Sequence, residues 1–297
     1  MTSLDSAYTS KLLICKDKSV MALSLHELVI KSCKEALSSD RGIFSIALSG
    51  GSLPSFLSNL SDSFDRVGCS PQWDKWHVLL ADERCVPNSD PDSNLKALKE
   101  SILDSVAIPK NQIYGLDESL LLPSSSSSSS LLSCEERMAS AYEKTALRPV
   151  LEKSGNKIDC VILGFGPDGH TCSLFPNHAL LEEKDKLVAS LNDSPKPPLC
   201  RITLTFPVLN HRSRMIVFCG AGESKGPILN RIFATVHHTP PKQITTNDND
   251  NVKECSAILS DPAPFPCGMA RPNEKQDSNL VYVVDTSAAA TLNISKL

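Results

Sequence analysis

Ile158-Asp159-Cys160-Val161-Ile162-Leu163-Gly164-Phe165-Gly166-Pro167-Asp168-Gly169-His170 is the stretch from which the architecture is read. Its first six residues are almost continuously apolar, without polar alternation. A short run of that kind is a strand buried on both faces, as strands of a parallel sheet are. The run ends abruptly in a turn with three glycines, where backbone amides can approach a ligand closely. Ligands of open α/β sheets sit at the carboxyl ends of the strands. Asp168 and His170 therefore stand where a site is expected, two residues apart in an irregular loop that can converge them.

The same arrangement recurs on both sides. Residues 43–48 form an apolar run ending at Ser49-Gly50-Gly51-Ser52, and Pro54 suits the first turn of a helix reaching about residue 67. Residues 76–81 are a second buried strand, ending at Asp82-Glu83-Arg84, before a helix over 93–103. Further strands are predicted at 11–16, 201–206, 215–219 and, last, 280–284. An amphipathic helix is predicted over 19–38, and a loop running into a helix over 222–235. Strands alternating with helices predict an α/β fold, a mainly parallel sheet with helices on both faces, in a single domain spanning 1–297. The serine run at 124–130 and the Asn/Asp-rich stretch at 239–254 read as surface loops.

The chain of 297 residues carries a formal charge of -4, which offers no global attraction to nucleic acid or to an anionic membrane. An anionic ligand would need a local cluster of cations. No apolar run reaches the ~18–20 residues of a membrane span, and residues 1–10 lack a secretory pattern. None of the 11 cysteines forms a CxxC pair or falls into zinc spacing with the seven histidines. They read as reduced, structural thiols.

Three motifs carry chemistry. In the first, His170 has the pKa range to take a proton from water and return it, and a neighbouring carboxylate would fix its tautomer. Asp168 is the nearest candidate, with Asp82 and Glu83 as alternatives. In the second, Ser49-Gly50-Gly51-Ser52 joins a strand to a helix start, where free N–H groups and hydroxyls suit an anion. In the third, Asp82, Glu83 and Arg84 line up directly after a buried strand. Arg201 and Lys225 complete the set, the first as a planar fork and the second as a point charge for a phosphate dianion. Ser173 lacks a G-x-S-x-G setting, which excludes a serine hydrolase of that type.

Together, residues 48–54, 82–87 with Ser93-Asn94, 164–176, 201–210 and 222–225 resemble the 6-phosphogluconolactonase family, in that family's order. The run from Gly166 to Pro176 is the most specific part. The resemblance implies a modified Rossmann-like fold shared with glucosamine-6-phosphate isomerase/deaminase. It implies hydrolysis of 6-phospho-D-glucono-1,5-lactone to 6-phospho-D-gluconate, the second step of the oxidative pentose phosphate pathway, with neither metal nor organic cofactor. The catalytic residues would be His170, Asp168, Asp82 and Arg84. The phosphate-binding residues would be Ser49, Gly50, Gly51, Ser52, Arg201 and Lys225. The sister isomerase family is the alternative, but it carries a glutamate just before the proline where this chain has Phe175. A non-catalytic sugar-phosphate-binding protein is the third reading.

The chain ends in Ser295-Lys296-Leu297, an address read by the peroxisomal import receptor. The expected location is the peroxisome, with cytosolic or plastid pools as additions, and the tail is expected to lie exposed beyond the last strand.

Overall fold

The computed structural model describes residues 8–121, 132–239, 251–272 and 279–296. The serine run at 124–130, most of the 239–254 stretch and Leu297 lie outside the described residues.

The described strands are β1 (Thr9–Cys15), β2 (Phe44–Leu48), β3 (Trp76–Leu80), β4 (Asp82–Arg84), β5 (Ile158–Gly164), β6 (Val188–Leu191), β7 (Arg201–Leu204), β8 (Ser213–Gly220), β9 (Phe233–His238), β10 (Val252–Leu259), β11 (Leu280–Asp285) and β12 (Ile294–Lys296). The main sheet has the order β12-β9-β10-β1-β11-β8-β5-β2-β3. Six neighbours, β1-β11-β8-β5-β2-β3, pair in parallel. Every residue of β2, β3 and β11 is buried, as are the first six of β5, which is why these strands read as unbroken apolar runs.

The polar interruption in β5 is structural. Asp159 is buried and takes Arg41 at 2.5 Å, Arg214 at 3.2 Å, and the amide and hydroxyl of Ser45 at 2.9 and 2.8 Å. Losing one partner of such a buried charge costs ~3–5 kcal/mol, so this network holds β2 and β5 side by side at their amino ends, opposite the edge that carries the site. Helix α1 (Lys18–Leu37) is capped by Asp17, whose carboxylate accepts the Ser19 and Val20 amides. It buries Met21, Leu25, Val29 and Cys33 at a spacing of four, the stripe a helix turns toward a sheet.

Several expectations are corrected. The helix after Pro54 is two short ones, α2 (Leu53–Leu57) and α3 (Leu60–Arg66), broken at Asn59. The helix expected over 93–103 is there, as α4 (Asn94–Leu98) continuing without a break into a wider π-helical turn over Lys99–Leu103. The helix after Lys225 stops at Ile232, and Phe233 begins β9, because β10 supplies an antiparallel partner there. Residues 252–254, read as loop, belong to β10. The 201–206 strand ends at Leu204 and lies outside the main sheet. It forms a small antiparallel sheet, β4-β7-β6, with Asp82–Arg84, which the sequence places at the end of the preceding buried strand. The tail stays exposed at Ser295, as expected, but is itself a strand: β12 adds to β9 in parallel, and the Ser295 hydroxyl lies 2.7 Å from His237 Nδ1.

Candidate active site

The parallel strands β2, β3, β5 and β8 end at one edge, and the chain continuing from each builds one cleft of about 210 Å³. Its walls include Ser49, Gly50, Gly51 and Ser52 after β2, Asp82 and Arg84 after β3, and His170 after β5. Arg201 from β7 and Lys225 after β8 complete it. These are the predicted site residues with one exception. Asp168 stands behind His170 rather than in the wall.

His170 is held from the far side. Its Nδ1 lies 2.5 Å from Asp168 Oδ1, and its ring stacks on buried Phe175 at 4.9 Å between centroids. With Nδ1–H donated to the carboxylate, Nε2 is the nitrogen left for a ligand. Gly166 makes this packing possible, because a Cβ there would overlap the imidazole. The Gly166 amide donates to the His170 carbonyl at 2.9 Å, closing the turn. Burial lowers the His170 pKa against the opposing pull of Asp168, so the neutral, basic form is favoured. Burial would raise Asp168, but hydrogen bonds from His170 and Lys196 outweigh it and bring its carboxyl down to about 2.

Lys196 is the residue that sequence reasoning missed. Its ammonium is 3.0 Å from Asp168 Oδ2 and 3.1 Å from His170 Nδ1. It lies 26 residues beyond the histidine in a proline-rich stretch, and only the folded loop brings it there. Arg201 holds that loop: its guanidinium is buried and donates to the carbonyls of Lys196, Pro197 and Pro198 at 2.9–3.0 Å. Three of its five N–H groups are thus committed and a fourth reaches the Ser173 hydroxyl at 3.4 Å, so Arg201 is first a scaffold and offers little to a ligand.

Asp82 is buried at the cleft, accepting from the Ser173 hydroxyl at 2.9 Å. The Asn94 amide donates to the Asp82 carbonyl at 2.8 Å and packs over Gly50, where any Cβ would collide with it. Glu83 points elsewhere, which removes it from the candidates. Its carboxylate accepts the Asn94 and Leu95 amides at 2.8 Å and the Ser93 hydroxyl at 3.1 Å, capping α4. Arg84 reaches the Asp92 carbonyl at 2.6 Å. Lys225 donates to the Phe165 carbonyl at 2.5 Å over the Phe165 ring. Burial, and then the nearby Lys196 charge, lower the Lys225 pKa. The helix behind Ser49–Ser52 has only five residues, so its dipole adds little. The Ser52 hydroxyl makes no capping bond and is free for a ligand.

Four cations, Arg84, Lys196, Arg201 and Lys225, surround two carboxylates, Asp82 and Asp168. That surplus, at the end of a parallel sheet with an oriented histidine whose neutral form is favoured, is an arrangement suited to acid–base chemistry on a small anion. The family model for glucosamine-6-phosphate isomerases/6-phosphogluconolactonase matches residues 16–253, and the chain belongs to that family. It is 40% identical over 199 residues to 6-phosphogluconolactonase 3, chloroplastic, of Arabidopsis thaliana, an alignment taking in 66% of this chain and 57% of that one. It is 35% identical to 6-phosphogluconolactonase of Rattus norvegicus over 72% of this chain and 77% of that one. The fold is shared with the solved 6-phosphogluconolactonase of Trypanosoma brucei, at a TM-score of 0.69 and 22% identity, covering 97% of this chain and 100% of that one.

Proposed function

We propose that this chain hydrolyses 6-phospho-D-glucono-1,5-lactone to 6-phospho-D-gluconate, the second step of the oxidative pentose phosphate pathway. The observation that carries the reading is the His170–Asp168 contact of 2.5 Å at the wall of a cationic cleft. Nε2 of neutral His170 takes a proton from water as the oxygen attacks the lactone C1. Arg84 or backbone N–H groups stabilise the tetrahedral oxyanion. The imidazolium, balanced by Asp168, then returns the proton to the leaving ring oxygen. Lys225 and the Ser49–Ser52 loop bind the 6-phosphate, with Arg201 shaping the wall beside them. Phe175, stacked on His170, occupies the place where the isomerases carry their glutamate, which favours hydrolysis over ring-opening isomerisation. The test supplies purified protein with the phosphorylated lactone and, separately, with glucosamine 6-phosphate. Lactone hydrolysis above the spontaneous rate is expected. Ammonia released from the amino sugar with no lactonase activity would overturn the reading.

We also infer import into peroxisomes through Ser295-Lys296-Leu297. A receptor that reads this tripeptide must enclose it, so Ser295 and Lys296 leave their pairing with β9 on import. A fluorescent protein fused at the N-terminus should give peroxisomal puncta that become diffuse when residues 295–297 are deleted. Diffuse fluorescence with the tripeptide intact would refute it.

A further inference from the structure

Three half-buried cysteines gather at the outer end of the small sheet, next to two arginines of the cleft. In the β4–β7 ladder Arg84 is opposite Arg201, which makes Cys85 and Cys200 the next pair outward. The Cys85 amide donates to the Cys200 carbonyl at 2.9 Å, the bond that directly opposed residues exchange in an antiparallel pair. Such residues have Cα atoms ~5.5 Å apart, inside the ~4.4–6.8 Å range a disulfide spans. Opposed residues also project to the same side of a sheet. Arg84 and Arg201 turn to the cleft, so the two thiols project together on its reverse side. The third thiol, Cys134, opens helix α5 (Cys134–Tyr142) and donates to the Leu120 carbonyl at 3.1 Å. Burial pushes the Cys85 thiol up to about 12, and the neighbouring Cys134 and Cys200 thiols add to that effect. All three cysteines are free and only partly covered, and Leu199 beside Cys200 is 55% exposed, so the pair is open to solvent on one side.

We propose that Cys85 and Cys200 are a reversible oxidation site, closing a cross-strand disulfide that couples thiol redox state to the geometry of the cleft. The oxidant is a small-molecule disulfide such as oxidised glutathione. The Cys200 thiolate attacks one of its sulfurs, forming a mixed disulfide and expelling one glutathione thiolate. The Cys85 thiolate then attacks Cys200 Sγ, forming the protein disulfide and expelling the second. Two protein thiols are oxidised, one glutathione disulfide is reduced, and the two protons end on glutathione. The pair is only partly covered, which leaves such a bond open to reduction by small thiols. Its closure locks the strands one residue from Arg84 and Arg201, and it tethers the end of the loop that sets Lys196 against Asp168 and His170.

The full chain is incubated with oxidised glutathione, blocked with N-ethylmaleimide, digested without reductant and mapped by mass spectrometry. A Cys85–Cys200 cross-linked peptide is expected, removed by dithiothreitol, absent in C85S and C200S and retained in C134S. Lactone kcat/KM is expected to fall at least about threefold on oxidation, since small misplacements at a site are costly. It should recover with dithiothreitol and stay unchanged in C85S. Only glutathione adducts, a bond through Cys134, or no bond at all would overturn the assignment. A mapped Cys85–Cys200 bond with unchanged kcat and KM would overturn the coupling. The peptide map needs no substrate, so its outcome is separate from that of the lactonase reading.

Discussion

Replacing Asp168 with asparagine should do more than remove a charge, because Lys196 stands ready to change the histidine tautomer. In the native site Asp168 Oδ1 holds Nδ1–H at 2.5 Å while Oδ2 occupies the Lys196 ammonium at 3.0 Å. The same ammonium is only 3.1 Å from Nδ1. Without the carboxylate it turns its proton to the Nδ1 lone pair, and the ring proton moves to Nε2, the position that must be bare to act as base. A hydrogen bond to a charged group is worth ~1.5–3 kcal/mol, which reduces the competent tautomer roughly 10–100-fold. Losing the charge that steadies the imidazolium adds about another order of magnitude, within the ~10²–10⁴-fold that acid–base catalysis supplies. D168N should therefore lower kcat about 10²–10³-fold with little change in KM. K196M alone should cost less than about tenfold. The double variant should be at least about fivefold faster than D168N, because the asparagine carbonyl can then accept Nδ1–H unopposed. Steady-state lactonase assays on the four proteins, corrected for spontaneous opening, decide it. A double variant no faster than D168N, or D168N within about threefold of the native enzyme, would refute the tautomer argument.

Three other outcomes are expected. The Lys196 charge lowers the His170 pKa, so K196M should let the imidazole hold its proton to higher pH and shift the acid limb of kcat/KM upward; a downward shift would contradict the assignment. K225A should weaken kcat/KM for the phosphorylated lactone and leave the unphosphorylated lactone little changed, and equal losses on both would remove Lys225 from phosphate binding. R201A, by freeing the loop carbonyls of Lys196, Pro197 and Pro198, should lower Tm by several degrees and raise KM for both lactones, whereas an unchanged Tm in thermal unfolding would deny it the scaffold role.

The parallel core and the cleft were legible because both rest on local pattern. Residues 158–163 are apolar on both faces because β5 lies mid-sheet, and the glycine turn after them can only be a strand end. His170, Asp82, Arg84 and the Ser49–Ser52 loop follow from that one rule about carboxyl ends. What was missed depends on pairing across long separations. Residues 233–235, the start of β9, looked helical because nothing near them announces β10, which gives the segment its hydrogen bonds. Asp82–Arg84 looked like the end of the preceding strand because its partner β7 lies over a hundred residues away. Glu83 could not be told from Asp82 by type, and the side of a three-residue strand decided which faced the cleft and which capped α4. Lys196 carries no signal, since a lysine among prolines is ordinarily solvated. Arg201 was read as a ligand-binding cation because its carbonyl partners appear only once the loop is folded.

The central claim, that His170 activates the attacking water, is tested most directly by the lactonase kcat of H170A with the uncatalysed rate subtracted. A fall of ~10²–10⁴-fold with KM nearly unchanged is predicted. An H170A kcat within about threefold of the native value would contradict the account.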